Sequence, residues 1–159
     1  AYGDLYQWGR AADGLQCRTS ITTSTNASDE TPGDALFITE SGSPHDWLTT
    51  PDDNLWQGVN GTNNPCPGGY RVPTSTELDN EHLTWSSDDP DGAFASVLKF
   101  TVGGRKQSNS SFHQVGTGGF YWSSTVNGTQ ASSLRFNNSV SGPTSWRRAD
   151  AYAIRCIKD

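Results

Sequence analysis

Three cysteines constrain this chain most, because a covalent link between distant segments removes many of the folds open to a short chain. They are Cys17, Cys66 and Cys156. No C-x-x-C pair occurs, and the three histidines are distant in sequence, so the spacing fits no zinc pattern. The simplest interpretation is an oxidising compartment, with one disulfide and one odd thiol. Three reduced thiols in a cytosolic protein are the alternative.

Cys66 lies in the rigid stretch NNPCPGGYRVPTSTEL, residues 63–78, between two prolines and just before a predicted helix. Cys156 lies on the inner face of a predicted last strand. A bond between them closes a loop of roughly 90 residues, which the chain-entropy model values at about 4 kcal/mol. Cys17 is then left over, either buried and inert or available for an intermolecular bond.

The composition favours a single secreted domain with an aromatic core. The chain has 159 residues, of which 32% are hydrophobic and 18% are charged. Six Trp, five Tyr and six Phe must therefore supply much of the core. Polarity comes mainly from Ser, Thr, Asn and Gly, a surface common among secreted proteins. We expect Ala1 to be the start of a mature form or of a domain excised from a longer secreted protein.

The net charge of −6 argues against two classes of partner. Nucleic acid attracts a basic face, and so does an anionic membrane surface. No apolar run approaches the roughly 18 residues that would be needed to span a bilayer. We therefore expect neither nucleic-acid binding nor membrane insertion.

One helix start is well marked. Thr74 is a suitable N-cap, and Glu77 three residues later completes a capping box. The helix is predicted from Ser75 to Trp85, with Leu78 and either His82 or Trp85 on its buried face. The SSDDPDG stretch at 86–92 then ends it, and AFASVLKFTVG at 93–103 is predicted as a strand.

The rest of the chain is predicted as short strands and loops. Residues 133–136 alternate, with Leu134 and Phe136 inward and Arg135 outward. Turns are expected at 127–128 and 142–143. Strands are predicted at 1–10 (a strand or turn), 35–39, 120–125, 133–136 and 151–159, and loops at 18–34 and 40–54. The fold class is therefore α+β, with short strands, one or two helices, long loops and one disulfide.

Four stretches, taken in order, resemble one known family. They are YQWGR at 6–10, DNLWQGVNGTNNPCPGGYRVPTSTEL at 53–78, GFYWSST at 119–125 and AYAIRCIKD at 151–159. This pattern resembles the Fibrobacter succinogenes major paralogous domain, whose members are similar to C-type-lectin-like and formylglycine-generating-enzyme-like domains. Cys66 and Cys156 match the family's cysteines, whereas Cys17 does not. The family's usual strand before residue 1 is also missing here.

The resemblance implies a C-type-lectin-like domain over residues 1–159, with first and last strands that meet and long loops over one side. It also implies a secreted or surface-displayed bacterial protein. Some relatives are variable proteins of retroelements, in which the hypervariable residues lie within about the last 40 positions. The resemblance names no ligand.

The final third holds the candidate binding face, at 121–148. Aromatic, amide, hydroxyl and guanidinium groups are mixed there, a combination that suits recognition. Trp146, beside two arginines in a Gly-Pro loop, is the leading candidate, whereas Trp122 is expected in the core. The face comprises Tyr121, Ser124, Val126, Asn127, Gln130, Ser132, Arg135, Asn137, Asn138, Thr144, Trp146 and Arg147.

Calcium is a weaker candidate. Asp88, Asp89 and Asp91 are close in one loop, and a second acidic cluster lies at 52–54. Calcium takes roughly six to eight oxygen ligands, but neither cluster has EF-hand spacing. The sugar-binding triplets of calcium-dependent C-type lectins are also absent. We therefore expect solvated acidic turns and no obligatory cofactor.

Three functions remain open at this point. The first is a non-catalytic extracellular binding module for a glycan or a protein, on a bacterial surface or appendage. The second is a structural, pilus-like subunit whose face packs on copies of itself. The third, a formylglycine-generating type of enzyme, is disfavoured because Cys66 and Cys156 match structural positions and no Ser-His-Asp order is evident.

Overall fold

The computed structural model describes residues 2–40 and 42–159. Ala1, predicted above as a mature start, and Ser41, within the predicted loop at 40–54, lie outside the described residues. The described ranges contain two helices and eleven strands, most of them only two residues long. These are β1 (Tyr6–Gln7), β2 (Thr22–Thr23), β3 (Phe37–Ile38), β4 (Tyr70–Arg71), α1 (Ser75–His82), α2 (Pro90–Ala95), β5 (Arg105–Lys106), β6 (Phe112–His113), β7 (Gly118–Asn127), β8 (Gln130–Asn137), β9 (Ser141–Arg147), β10 (Ala151–Tyr152) and β11 (Ile157–Lys158).

The longest strands form an antiparallel sheet in the order β7-β8-β9. The predicted turn at 127–128 is confirmed, since Gly128 adopts a positive φ of 57° between β7 and β8. The predicted turn at 142–143 is wrong: Gly142 and Pro143 lie inside β9, opposite Arg135 and Leu134. The actual connection is the 138–140 stretch, where Asn137 Oδ1 accepts from two following backbone amides.

A second sheet, in the order β1-β10-β5-β6, joins the two ends of the chain. Tyr6 pairs with Tyr152, so the first segment packs on the core as predicted. The alternating run at 151–159 is not one strand. It divides into β10, a bridge from Ala153 to Tyr121 on β7, and β11, which pairs with β4.

Two hydrophobic cores lie on opposite faces of the β7-β8-β9 sheet. The first holds four fully buried tryptophans, Trp8, Trp47, Trp56 and Trp122. Each indole N–H donates to a backbone carbonyl, at 2.7–3.2 Å. These bonds tie loops to strands, because a buried indole N–H left without an acceptor is costly.

The second core lies beneath the helices and confirms the alternation at 133–136. Leu134 and Phe136 are buried there, while Arg135 between them is exposed. Helix α1 contributes Leu78, and its capping box between Thr74 and Glu77 is present. The helix ends at His82, three residues earlier than predicted.

The strand predicted at 93–103 is wrong. Asp89 accepts a hydrogen bond from the Gly92 amide as an N-cap, and Pro90 follows at the first helical position, where its missing N–H costs nothing. The result is the short helix α2. The chain after α2 buries Phe100 and becomes strand only at β5.

The predicted disulfide is confirmed. Cys66 and Cys156 are bonded, with Cα atoms 5.8 Å apart and 90 residues between them in sequence. The bond lies beside the β4–β11 pair and so anchors the middle of the chain to its end. Cys17 is an exposed free thiol, which excludes the buried, inert alternative.

Within the described residues, neither helix is long and apolar enough to cross a membrane.

Candidate functional site

The predicted binding residues divide between the two faces of the β7-β8-β9 sheet. Side chains alternate along a strand, and residues that are directly paired across strands share a face. The pairs of Ala131 with Trp146 and of Gln130 with Arg147 therefore fix the two sets. On the face of the first core lie Val126, Arg135, Asn137, Thr144 and Trp146, and on the other face lie Tyr121, Asn127, Gln130, Ser132 and Arg147.

Two predicted residues are buried, contrary to the prediction. Tyr121 is 1% exposed in the second core, and its hydroxyl accepts from the Thr101 amide at 2.7 Å. Ser124 is 2% exposed, in the irregular part of β7, and its amide donates to the carbonyl of Pro73. The prediction failed because β7 is covered on both sides, so alternation along it does not place one face in solvent.

The tip of the hairpin carries the second set of exposed candidates. Asn127 donates its side-chain amide to Ser145 Oγ at 2.9 Å, and Gln130 and Arg147 are exposed beside it. Asn138 is exposed in the β8–β9 connection. These residues do not converge on a cavity, and we do not place them in the site.

The first set, apart from Val126, lines a cleft of about 80 Å³. Arg135, Asn137, Thr144 and Trp146 come from the predicted face. Six further lining residues were not predicted from sequence: Arg105, His113, Gln114, Phe120, Phe136 and Tyr152. The cleft thus lies where the β7-β8-β9 sheet meets strands β5, β6 and β10 of the second sheet.

Arg105 forms one wall of the cleft and is only 8% exposed. Its guanidinium carbon lies 4.8 Å from the ring centroid of Trp146 and 5.3 Å from that of Phe120. Nη1 donates to Asp150 Oδ2 and to the Tyr152 hydroxyl, both at 3.2 Å. Nε is buried and has no hydrogen-bond partner among the described residues.

The β5 strand positions Arg105 by long-range pairing. Its neighbour Lys106 pairs with Ala151 of β10, which in turn pairs with β1. Gly104, with a φ of 67°, lets the chain pass close to β6, since a Cβ there would lie 2.6 Å from the His113 carbonyl oxygen. The Gly-Gly pair before Arg105 is thus the one sequence signal that could have marked this approach.

Burial shifts the pKa values of two polar groups at the cleft, Asp150 behind its wall and Tyr152 in its lining. Burial raises the pKa of the Asp150 carboxyl, which accepts from the Ser108 amide at 2.9 Å and from Arg105. Burial likewise raises the pKa of Tyr152 well above its usual range, so the hydroxyl stays protonated at neutral pH. Arg105 is therefore the principal cation that compensates Asp150.

Arg135 also lines the cleft. It is exposed and pairs across the sheet with Phe120 on one side and Gly142 on the other. Within residues 2–40 and 42–159 it forms no ion pair. Its guanidinium is therefore available to a ligand.

The acidic loop at 88–91 is engaged within the protein. Asp89 caps α2, and the Gly92 amide and the Ser87 hydroxyl lower the pKa of its carboxyl. Asp88 lies 3.3 Å from His82 Nε2. No group of three or more metal-binding side chains is arranged to hold an ion in the part of the chain that the structure describes.

One histidine has both a hydroxyl and a carboxylate neighbour. His82 Nε2 lies 2.7 Å from Ser141 Oγ and 3.3 Å from Asp88 Oδ1. Both contacts use the same ring nitrogen, whereas a catalytic triad needs the carboxylate on the other nitrogen. This arrangement is therefore not that of a catalytic triad.

Comparison of the chain with protein-family models, with curated proteins and with solved structures gives no match.

Proposed function

We propose that this chain is a non-catalytic binding module outside the cell, on a bacterial surface or appendage, whose glycan or protein ligand enters the cleft. One observation carries the proposal. Arg135, Asn137, Thr144 and Trp146, chosen from sequence for their recognition chemistry, converge with Arg105 on one cavity. Directional donors around a partly buried aromatic ring are typical of ligand sites.

The C-type-lectin-like fold, as a single domain over residues 1–159, is part of this proposal. Three observations support it: β1 pairs with β10, long loops precede α1, and the Cys66–Cys156 bond joins the two cysteines that match the resembled family. The disulfide also supports a location outside the cell, since such bonds persist in oxidising compartments.

A pilus-like subunit is the second candidate, and a specific surface favours it. Leu83 at the end of α1, Phe94 in α2 and Val97 after α2 are 81%, 59% and 86% exposed. Three large apolar side chains near one another in sequence, on the helical side, offer a place for self-association. This surface is not the predicted face at 121–148, so the two functions need different surfaces.

The formylglycine-generating type of enzyme has less support. That chemistry uses a pair of thiols, but Cys66 and Cys156 are joined to each other beside β4 and β11. Cys17 is the remaining thiol, and it does not line the cleft. The cleft therefore favours binding over thiol chemistry.

A glycan and surface-protein array, probed with the purified chain with and without EDTA, tests the proposal. We expect binding that EDTA leaves intact, that Trp146→Ala removes and that Phe94→Ala retains. Circular dichroism checks that both variants fold. A silent array, together with concentration-dependent polymers in light scattering that Phe94→Ala abolishes, would contradict the binding module and favour the subunit.

A further inference from the structure

The cleft is positively charged although the protein is not. The net charge is −6. Nevertheless, Arg105 and Arg135 line the cleft, and no Asp or Glu is among its lining residues in the described ranges. Asp150 behind the wall offsets Arg105, so Arg135 leaves the site with a net positive charge. An anion is therefore attracted to this cleft and repelled by much of the remaining surface.

The wall of the cleft also holds unused hydrogen-bond donors. A guanidinium has five N–H groups, and Arg105 uses Nη1 for Asp150 and Tyr152. Its Nε is fully buried and out of reach of a ligand, as in Arg10 and Arg148. Its Nη2, in contrast, donates to no described residue and is not buried, so it is available to a ligand oxygen. A carboxylate accepts from two N–H groups at once.

The volume of the cleft limits what can enter it. The cleft is small, about 80 Å³ in volume, so a ligand larger than the cleft leaves part of itself outside. We place the charged group of the ligand inside, beside the guanidiniums, and its larger part over the rim. The lining also offers the Thr144 hydroxyl, the Gln114 amide N–H and part of the Trp146 ring, whereas the Asn137 amide is already bonded within the protein.

The nearby sheet edge disfavours an extended peptide. β9 is the edge strand of its sheet, and a peptide would normally bind there by adding a further strand. Pro143 in the middle of β9 has no N–H to donate and so blunts that edge. A ligand body bound through hydroxyls and an apolar ring face fits the rim better.

Resting on the proposed function, we infer that the ligand is an acidic sugar, whose carboxylate enters the cleft between Arg105 and Arg135 while its ring lies against Trp146 and Thr144. The carboxylate supplies the anion that the two guanidiniums recognise. The ring supplies hydroxyls for the Gln114 amide and the Thr144 hydroxyl, and an apolar face for the indole.

Calorimetric titration of the intact chain tests this inference. The acidic probes are trigalacturonate and 3′-sialyllactose; their neutral counterparts are the carboxyl-reduced trisaccharide and lactose, and a glutamate-rich heptapeptide tests peptide carboxylates. We expect at least one acidic sugar to bind about tenfold more tightly than its neutral counterpart. Arg135→Gln should remove that difference. Arg147→Gln, an exposed arginine on the other face of the same sheet, is the matched control and should retain it.

Each other outcome overturns the inference. Equal binding of acidic and neutral sugars would show that the carboxylate is not recognised, and binding of the heptapeptide alone would make the ligand a protein. An equal loss in both variants would indicate a general effect of net charge. If no probe binds, the acidic sugar is rejected, while the proposed function is rejected only if the array is also silent.

Discussion

Two buried arginines in this molecule have the same surroundings but different numbers of partners. Arg105 packs over Trp146 and Arg148 packs over Trp8, each with its guanidinium carbon 4.8 Å from the ring centroid. Each is also paired with a buried aspartate. Cation–aromatic packing and a buried ion pair therefore do not, by themselves, distinguish a structural arginine from one that binds a ligand.

The partners of Arg148 make it a structural residue. Its guanidinium donates to the Asp53 carboxylate at 2.5 Å and to the backbone carbonyls of Asp52 and Gly128, and it lies 3.6 Å from Asp46. These partners belong to three separate stretches of chain. Arg148 thus holds loops together. Its remaining donor, Nε, is fully buried and out of reach of another molecule.

Among residues 2–40 and 42–159, Arg105 donates only to Asp150 and Tyr152, both through Nη1, and it lines a cleft. The difference teaches that the number of unused donors, and their access to a cavity, indicates binding better than burial does. Four substitutions test this comparison. They are given in order of decreasing expected loss of stability.

Arg148→Met should lower the free energy of unfolding by about 4 kcal/mol, because it leaves Asp46 buried without its cation. Burial already raises the pKa of Asp46 in the native protein. A raised native pKa favours folding at low pH and opposes it as pH rises, so the loss should be smaller near pH 5 than near pH 8. Urea denaturation at both pH values measures it.

The exposed neighbour provides the control for that experiment. Arg147→Met removes the same charge one residue away and should change stability by no more than about 0.5 kcal/mol. Similar losses of stability in the two variants, or a loss from Arg148→Met that grows as pH falls, would show that Arg148 does not stabilise the fold by compensating Asp46.

Replacing both Cys66 and Cys156 by Ala should cost about 3 kcal/mol, because the unfolded chain regains the freedom of a long loop. This is less than the chain-entropy value of about 4 kcal/mol, since an unfolded chain retains some structure. Neither cysteine lines the cleft, so ligand affinity should be unchanged wherever the variant remains folded. Denaturation together with calorimetric titration separates the two quantities. A loss of affinity in a folded double variant would show that the cleft depends on the disulfide. Affinities of the two arginine variants would then have to be compared at equal stability.

Sequence predicted well what depends on local chemistry. The capping box of Thr74 and Glu77 needs only two side chains three residues apart, and it is present. The alternation of Leu134 and Phe136 held because β8 has α1 on one side of it. The disulfide followed from the small number of cysteines as much as from the surroundings of Cys66.

Sequence failed where neighbours from elsewhere in the chain decide. Tyr121 has a side chain of the type that is common in binding sites. Its ring is buried, however, because β7 lies between two cores. At 93–103, apolar residues predicted a strand, but Asp89 and Pro90 begin a helix just before them. Arg105 lies in GGRKQS, which has no periodicity, and only the pairing of β5 with β10 brings it to Trp146.

Arg105→Met should lower stability by about 2 kcal/mol, half the effect of Arg148→Met. Asp150 keeps its bond from the Ser108 amide, and water in the cleft can replace the lost guanidinium donor. Ligand affinity should fall as well. Arg148→Met, in contrast, should leave the ligand affinity of the folded protein unchanged. Denaturation at neutral pH and titration with the array ligand measure both. A destabilisation as large as that of Arg148→Met, with affinity retained, would make Arg105 structural and reverse the comparison.

The smallest effect is expected at an arginine on the surface. Arg71 forms two hydrogen bonds of 2.8 Å with Glu77, and this pairing lowers the pKa of the Glu77 carboxyl to about 2 from 4.5. A lowered native pKa stabilises the fold above the unfolded value, and that stability is lost as pH falls from about 4.5 to about 2. Because the pair is partly exposed, solvent screening should reduce its contribution to about 1 kcal/mol.

Glu77→Gln should therefore destabilise the chain by about 1 kcal/mol at pH 7 and by almost nothing near pH 2.5. The glutamine keeps the capping-box geometry, so the difference between the two pH values reports the charge of Glu77 alone. Glu81→Gln on the same helix is the control, because Glu81 forms no ion pair among the described residues. A destabilisation by Glu77→Gln that is equal at both pH values would show that the charge of Glu77 is not responsible for it. A destabilisation larger than that of Arg105→Met would show that an exposed arginine pair can contribute more to stability than a buried one.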